Sequence, residues 1–279
     1  MTKTPKTILV TGAFGGIGKA VCRELSLQGH MVIGAVRRLP AGDAVSRQSP
    51  GPILHIEADL ASVDGWKHVL EAVRSGGVRI DTLIHCAGTL IPCDISSVGA
   101  GELRKMIDDN ILTLMLACRA VVPNMRAARD GHIVILGSLG GMIPMPHQAV
   151  YSATKYAVRG FVLSLAEELR GSGIAVSLIS CGPVHTPMLA GESRHAGSIS
   201  FFNSPLSPGR VVRAVLAALD HPGGETLLPR IWGLIAPIVG AFPWLFRQVY
   251  PLVSTIGRAR KLEYQTKAST CMDFSGRRQ

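Results

Sequence analysis

Short runs of apolar and β-branched residues alternate with helical segments along most of this 279-residue chain. The runs are apolar at consecutive positions, which is typical of strands buried on both faces of a sheet. We predict strands at 7–10, 31–36, 53–56, 83–86, 133–136, 174–179 and 226–228, and helices at 16–27, 63–73, 102–125, 150–170 and 208–219. This alternation favours an α/β fold with one doubly wound parallel sheet and helices on both faces.

The chain carries a formal net charge of +10, and much of that charge lies near its end. From Arg230 onward there are eight Lys or Arg residues and two acidic ones, a net charge of +6. Aromatic residues make up 5% of the chain and do not interleave with a basic patch, so we do not expect nucleic-acid binding. An anionic surface or an anionic ligand is a better partner for these cations.

The six cysteines are scattered, and no two of them form a Cys-x-x-Cys pair. Such cysteines are typical of proteins in a reducing compartment, and the short polar segment 1–6 offers no room for a secretory signal. We therefore expect a cytoplasmic protein. No cluster of His, Cys and Asp has the spacing of a metal site, so we predict no metal.

A glycine-rich turn joins the first predicted strand to the first predicted helix. Gly12 follows the strand directly, and Gly16 and Gly18 open the helix. Positions without side chains let the backbone approach a pyrophosphate, and the free N–H groups at the start of the helix bind it. This strand–turn–helix context favours a dinucleotide site over an ordinary glycine-rich turn.

The end of the second predicted strand bears on the choice of cofactor. It carries Arg37 and Arg38, and residues 25–42 contain no Asp or Glu. Folds that prefer NAD place an acid near this position, where it binds the ribose 2′-hydroxyl. Two guanidinium groups would instead bind a 2′-phosphate. We therefore predict NADP(H); the alternative is that both arginines are solvated loop residues.

A second group of residues combines Ser138, Tyr151 and Lys155. Tyr151 and Lys155 are four residues apart on a predicted helix, so they share a face. A lysine ammonium lowers the pKa of a neighbouring phenol, which suits Tyr151 as a general acid and base for a carbonyl and its alcohol. Ser138 follows a predicted strand at the carboxyl edge of the sheet, where its hydroxyl can hold the substrate oxygen. Each residue alone is more often structural; it is the combination with the glycine turn that predicts catalysis.

Together these residues resemble the short-chain dehydrogenase/reductase family over residues 6–228, with a hint of its hydroxysteroid-dehydrogenase branch. The matching pieces are 11–18, 58–60, 87–88, Asn110, 137–138, 151–155 and 182–186. The resemblance implies that Tyr151 is the general acid/base, that Lys155 also binds the nicotinamide ribose and that Ser138 positions the substrate. It also implies that Asn110 completes a water-linked proton relay to Lys155.

The resemblance implies cofactor contacts as well, with Asp59 at the adenine and Thr186 at the nicotinamide carboxamide. The predicted cofactor-binding residues are Gly12, Phe14, Gly16, Ile17, Gly18, Arg37, Arg38, Asp59, Leu60, Ala87, Gly88, Tyr151, Lys155, Pro183, Val184 and Thr186. Two positions depart from the family pattern. His85-Cys86 replaces the usual Asn-Asn, which bears on the hydrogen bonds that tie the sheet edge to the cofactor, and Cys181 replaces the usual Pro.

Two later segments bear on the substrate. Residues 187–207 are either a lid over an apolar substrate or a simple surface connection. Residues 231–246 hold sixteen uncharged residues, too few for a membrane span and interrupted by prolines. This stretch packs on the sheet, walls the substrate pocket or lies on a membrane surface, and we expect a mixture of the last two. Met145 and His147 precede Tyr151 and are expected to face the substrate, with His147 a pocket or surface histidine rather than a second acid.

The leading interpretation is an NADP(H)-dependent oxidoreductase for a bulky apolar carbonyl or alcohol, such as a steroid, lipid or acyl derivative. The alternatives are a 3-oxoacyl-thioester reductase and a nucleotide-binding regulator without turnover.

We predict a Rossmann-like catalytic domain over residues 1–228 and an apolar, basic C-terminal extension over 229–279 that packs on it, with disorder from about 268. Residues 102–125 and 150–170 resemble the helices through which family members pair, so we expect a homo-oligomer, and we expect peripheral membrane contact through the extension.

Overall fold

The computed structural model describes residues 4–39, 45–46, 53–192 and 201–275. Its strands are β1 (Thr7–Thr11), β2 (Met31–Val36), β3 (Val45–Ser46), β4 (Ile53–Glu57), β5 (Thr82–His85), β6 (Gly131–Ser138), β7 (Ile174–Cys181) and β8 (Gly224–Leu228). They form one sheet in the order β3-β4-β2-β1-β5-β6-β7-β8. Seven strands are parallel, and the two-residue β3 pairs antiparallel with β4 at the edge. The predicted parallel α/β sheet is confirmed.

Helices connect the parallel strands. They are α1 (Gly16–Leu27), α2 (Val63–Ser75), α3 (Ala100–Ile107), α4 (Thr113–Ala128), α5 (Ala149–Glu168), α6 (Pro187–Glu192), α7 (Pro208–Asp220), α8 (Trp232–Ala241) and α9 (Pro243–Ser275). The Ser62 hydroxyl caps α2 by accepting a hydrogen bond from the Gly65 N–H at 3.0 Å. Pro208 is the first residue of α7. The N–H at this position has no partner within a helix, so proline loses no helical hydrogen bond there.

Three elements differ from their predicted form. The segment 40–52, where the sequence predicts neither a strand nor a helix, contains β3, and its other residues lie outside the described part of the chain. The helix predicted over 102–125 is divided by a π-helical turn, Asp108–Leu112, whose wider geometry places Asp109 and Asn110 in buried positions. Helix α9 continues to Ser275, whereas the sequence predicts disorder from about 268; residues 276–279 lie outside the described residues.

The sheet is covered on both faces because its strands alternate their buried side chains. In β1, Leu9 packs toward α2, α4 and α5, whereas Ile8 and Val10 pack toward α1 and α7. All three side chains are fully buried. Burying one such side chain contributes about 1.5–3 kcal/mol, so the strand interiors fix the positions of the loops at the carboxyl edge.

A third, smaller cluster lies beside that edge. Leu139, Met142 and Ile143, which follow β6, pack against Ala236 and Val239 of α8 and Phe246 of α9. The C-terminal helices therefore rest on the segment directly after Ser138.

One stretch among the described residues, Ala100–Ala128, is long and apolar enough to cross a membrane by length and composition. It contains α3 and α4. Its residues Leu114, Val121 and Met125 are buried against the sheet, and Asn110 lies within it. One face of this stretch therefore packs on the sheet.

Candidate active site

The turn between β1 and α1 packs too closely for side chains. Gly12 adopts a left-handed φ of 65°, and a Cβ there would lie 2.9 Å from the Ala87 backbone. A Cβ on Gly18 would lie 2.1 Å from the Gly12 carbonyl oxygen, and one on Gly16 would lie 2.6 Å from the Thr186 side chain. Side chains at these positions would fill the turn. The first N–H groups of α1 have no partner within the helix and are suited to bind a phosphate.

A cavity of about 410 Å³ opens beside this turn, and we term it the glycine cavity. Ten of the predicted cofactor-binding residues line it: Gly12, Phe14, Gly16, Ile17, Gly18, Arg37, Leu60, Ala87, Gly88 and Thr186. Its backbone-lined cradle fits a dinucleotide pyrophosphate.

The lining of the glycine cavity includes a carboxylate that the sequence did not mark as a cofactor-binding group. Asp109 lines the cavity and is 9% exposed in its side chain. It accepts a hydrogen bond from the Arg37 guanidinium, and its other oxygen accepts one from Lys105 at 2.7 Å. The sequence carries no acid near Arg37, but the π-helical turn brings this one to it. Arg37 is therefore anchored, and Lys105 is a second cation at the same place.

Two predicted cofactor residues lie outside the lining of either cavity described here. Arg38 is exposed to solvent. The Asp59 carboxylate accepts a hydrogen bond from the Ala61 N–H at 3.0 Å, which holds the turn before α2. Their predicted cofactor contacts stay predictions.

A second cavity of about 160 Å³, the catalytic cavity, is lined by Ser138, Tyr151 and Lys155 together with Pro183 and Val184. It shares one wall with the glycine cavity. The residues that line both are Ile17, Cys86, Ala87, Gly88, Thr89, Thr186 and Met188. The two cavities thus form one continuous groove along the carboxyl edge of the sheet.

Ser138 and Tyr151 both line this groove. The Ser138 Oγ accepts a hydrogen bond from the Gly140 N–H at 3.1 Å. A Cβ on Gly140 would lie 3.4 Å from the Ser138 Oγ and 3.4 Å from the edge of the Tyr151 ring. The Ser138 hydroxyl and the Tyr151 ring therefore both lie beside Gly140 in the lining of the catalytic cavity.

Helix α5 is fixed against the turn that follows Ser138. A Cβ on Gly141 would lie 2.5 Å from the Lys155 carbonyl oxygen, so the helix backbone lies directly on the turn. The Ser152 hydroxyl also donates a hydrogen bond to the Gly140 carbonyl at 2.5 Å. These contacts set the position of Tyr151 relative to Ser138.

Lys155 is buried behind Tyr151, with its Nζ 5.7 Å from the centre of the Tyr151 ring. Burial lowers the pKa of the Lys155 ammonium from its ordinary value, and the nearby Cys181 thiol opposes that shift. When charged, the ammonium favours negative charge on the Tyr151 oxygen.

Asn110 uses both ends of its amide to join two segments. Its Oδ1 accepts a hydrogen bond from the Thr89 N–H at 2.7 Å, and its Nδ2 donates to the Thr89 carbonyl at 2.9 Å and to the Thr154 hydroxyl at 3.0 Å. A Cβ on Gly88 would lie 2.9 Å from Asn110 Oδ1 and 3.6 Å from Lys155 Nζ. Asn110 therefore holds the loop after β5 against α5 beside Lys155, while the water-linked relay stays a prediction.

His85, at the first departure from the family pattern, lies within hydrogen-bond distance of β1. The His85 Nδ1 lies 3.0 Å from the Thr11 hydroxyl, which also accepts a hydrogen bond from the Ala87 N–H at 3.3 Å. Burial, with a smaller effect from the charge of Lys155, lowers the pKa of His85 to about 3. A neutral imidazole thus ties β1 to the loop that walls both cavities.

Apolar side chains close the far end of the catalytic cavity. Met145, Met188, Leu189 and Phe202 line it, so the segment predicted as a lid or connection covers the pocket; its residues 193–200 lie outside the described part. His147 does not line it. It therefore does not face the substrate as expected; it is a surface histidine, with Nδ1 4.0 Å from an Asp94 carboxylate oxygen.

The C-terminal helices contribute to this wall. Trp232, at the start of α8, lines the cavity and makes an edge contact with Phe202, with the ring centres 6.4 Å apart. The Tyr264 ring packs on Phe201 at 5.3 Å, and Arg260 donates a hydrogen bond to the Phe202 carbonyl. The apolar stretch 231–246 predicted a wall from this region, but nothing in the sequence marked Tyr264 or Arg260.

The described residues contain no group of three or more His, Cys, Asp and Glu side chains that could hold a metal ion. Cys22, Cys86, Cys93, Cys118 and Cys181 are free thiols. Burial raises the pKa of Cys181, which lines the catalytic cavity, to about 11, so this thiol stays protonated at neutral pH.

Comparison with known proteins agrees with this geometry. The family model of the short chain dehydrogenases matches residues 6–197. A 3-ketodihydrosphingosine reductase from Bacteroides thetaiotaomicron is 33% identical over 182 residues, which cover 65% of each chain. Dehydrogenase/reductase SDR family member 11 from Bos taurus is 36% identical over 229 residues, covering 77% of this chain and 90% of that protein.

A solved structure described as the closed form of serine dehydrogenase complexed with NADP+ superimposes with a TM-score of 0.72 at 28% identity, covering 80% of this chain and 94% of that one. The match of the family model over most of the chain, together with the Ser138, Tyr151 and Lys155 geometry, shows that this protein is an oxidoreductase of the short-chain dehydrogenase/reductase family.

Proposed function

We propose that the protein is an NADP(H)-dependent oxidoreductase that interconverts a carbonyl and an alcohol on a bulky, apolar substrate. The observation that carries this proposal is the single groove in which Ser138, Tyr151 and Lys155 adjoin a glycine-lined dinucleotide cradle.

The proposed role of each side chain is supported by its position. The Ser138 hydroxyl holds the substrate oxygen beside the Tyr151 phenol. Tyr151 donates its proton to that oxygen during reduction and accepts one during oxidation. Lys155 favours the phenolate that results, and Asn110 keeps the loop at Thr89 in register with α5. When bound, NADP(H) supplies or accepts the hydride.

The preference for NADP(H) is supported by the cations of the glycine cavity. Arg37 and Lys105 both reach Asp109, so two positive groups share one carboxylate and the cluster keeps a net positive charge. A 2′-phosphate is a strong acceptor for such groups. The related serine dehydrogenase structure contains NADP+, which agrees with this preference.

The apolar nature of the substrate is supported by the lining of the catalytic cavity. Lys155 is the one charged residue among the described residues that line it. The walls beyond Tyr151 are formed by Ile143, Met145, Leu189 and Trp232. This lining favours a hydrocarbon body over the phosphates of a coenzyme A thioester. The Bacteroides relative is named for the reduction of 3-ketodihydrosphingosine, a ketone.

A substrate series tests the proposal. NADPH oxidation is measured with ketones of increasing apolar chain length and with a 3-oxoacyl thioester. We expect kcat/KM to rise with chain length and to be lowest for the thioester, because each buried methylene adds favourable transfer free energy. Absence of turnover with every ketone would contradict the proposal, and a preference for the thioester would favour the acyl alternative.

We also propose a cytoplasmic homo-oligomer. Met115 of α4 and Tyr156 and Leu163 of α5 are large apolar side chains exposed by 39%, 44% and 40%, which supports pairing through these helices. Light scattering of the purified chain tests this; a monomer at every concentration would contradict it.

A further inference from the structure

Helix α8 is apolar on every side, yet only one side is buried. Trp232, Ala236 and Val239, spaced by four and three residues, pack on the cluster beside Ser138. The opposite side is open to solvent, and we term it the outer face. It consists of Ile231, Leu234, Ile235, Ile238 and Phe242. The ten residues of α8 include no charged side chain.

The outer face exposes five large apolar side chains to water. Leu234 is 73% exposed, and the neighbouring Trp244 at the start of α9 is 63% exposed. Single exposed apolar residues are common on proteins, but a contiguous patch of this kind marks a surface that binds something apolar. A helix that is apolar all round is stable only when both of its sides are covered.

Basic side chains border the outer face. Arg230 precedes it, and Arg247 follows Trp244 by three residues, one turn along α9; both are exposed. Arg258 lies further along α9 and is also exposed. Apolar side chains bordered by tryptophan and arginine suit the boundary between lipid tails and anionic head groups.

We infer that the outer face docks on the surface of an anionic lipid bilayer, with α8 lying in the plane of the membrane. A ten-residue helix is too short to span the bilayer, so the contact is peripheral. A second copy of the chain suits the outer face less well, because a twofold interface would place the basic borders of both copies around one patch.

This docking gives α8 two functions. Its inner side carries Trp232 into the wall of the catalytic cavity, while its outer face contacts lipid. An apolar substrate dissolved in the membrane could then reach Tyr151 without crossing water. Delivery of substrate rests on the proposed function, whereas docking itself does not.

Vesicle flotation of the full chain tests the inference. The vesicles are made of phosphatidylcholine or of an equal mixture of phosphatidylcholine and phosphatidylserine. We expect the wild type to float with the mixed vesicles and Leu234→Glu/Ile238→Glu to bind them about tenfold less. The matched control Leu27→Glu/Met31→Glu changes two exposed apolar residues far from α8 and should float like the wild type.

A charge variant refines the test. Arg230→Gln/Arg247→Gln should bind the mixed vesicles about threefold to tenfold more weakly than the wild type.

Equal flotation of the wild type and the Leu234→Glu/Ile238→Glu variant would overturn the inference. Failure of the wild type to bind either kind of vesicle would overturn it as well. A wild-type dimer that dissociates in Leu234→Glu/Ile238→Glu would assign the outer face to a second copy. That result would also overturn the inference. NADPH oxidation with a short water-soluble ketone, measured without vesicles, reports separately on the proposed function.

Discussion

The two cavities that meet at the shared wall differ in the groups that line them. The glycine cavity is shaped by backbone, with Gly12, Gly16 and Gly18 packed against Ala87 and Thr186, and its specific groups are charged. The catalytic cavity has a polar end at Ser138 and Tyr151, but its remaining walls are apolar side chains. Several of these come from segments that follow β7, including the C-terminal helices.

This difference separates what the two cavities can select. A backbone cradle accepts a dinucleotide whatever the substrate, and in the proposed function the cations around Arg37 distinguish NADP(H) from NAD(H). Apolar walls select by size and shape, and they can change without disturbing the cradle. Substitutions in one cavity should therefore alter the kinetics of one ligand and leave those of the other nearly unchanged.

Among substitutions at Ser138, Arg37 and Trp232, removal of the Ser138 hydroxyl should have the largest effect on the kinetics. Ser138→Ala should lower kcat about 100-fold, because the substrate oxygen loses a positioned donor. Binding of NADPH, followed by fluorescence titration, should stay within about twofold, since Ser138 does not line the glycine cavity. Ser164→Ala, an exposed position on α5, is the control and should match the wild type.

A change at Arg37 should act on the other cavity. Arg37→Ala should raise the KM for NADPH about tenfold and that for NADH little, because only NADPH carries the 2′-phosphate. The ratio of kcat/KM for the two cofactors measures this. Arg23→Ala, an exposed arginine on α1, should leave the ratio unchanged. Equal effects of Arg37→Ala on both cofactors would remove the case for phosphate recognition.

The wall from α8 should affect only large substrates. Trp232→Ala should raise the KM of a long-chain ketone about fivefold, because buried contact area is lost. A short ketone serves as the internal control, and its KM and that of NADPH should stay within about twofold. A similar rise for the short ketone would mean that Trp232 supports the fold of the site rather than substrate selection.

A further effect concerns His85, directly before the shared wall, and appears in stability rather than in kinetics. The pKa of His85 is depressed to about 3 in the folded protein, below its ordinary value of 6.5, so the unfolded chain binds more protons between these values. The resulting stability is full above pH 6.5 and falls as the pH is lowered toward 3. At pH 5 the loss attributable to His85 is about 2 kcal/mol.

Urea unfolding at pH 7 and pH 5 measures this loss. His85→Asn should reduce the fall in stability between the two conditions, and the exposed His68→Asn should not. Part of the fall should persist in His85→Asn, because burial also lowers the pKa of His132, to about 4. An unchanged fall in His85→Asn would contradict the account of a buried neutral imidazole.

The central sheet and the glycine turn could be predicted from sequence because local patterns determine them. Consecutive apolar runs predicted the seven parallel strands, and the spacing of Gly12, Gly16 and Gly18 predicted the cradle. The common face of Tyr151 and Lys155 was predictable because residues four apart lie on one side of a helix.

The remaining features depend on contacts between distant parts of the chain. The pairing of Arg37 with Asp109 joins residues 72 positions apart, and it requires the π-helical turn, which has no clear sequence pattern. The role of His85 depends on its burial beside Thr11, and the roles of Tyr264 and Arg260 depend on how α9 returns to Phe201 and Phe202. Local propensity carries no information on such contacts.

The most direct test of the acid–base role assigned to Tyr151 is a single turnover of Tyr151→Phe with NADPH already bound. We expect NADPH to bind normally and its oxidation by an apolar ketone to slow at least about 1000-fold, because the proton donor is lost. Tyr156→Phe, on the same helix and exposed, should react at the wild-type rate. Oxidation at an undiminished rate in Tyr151→Phe would contradict the assignment of Tyr151 as the catalytic acid.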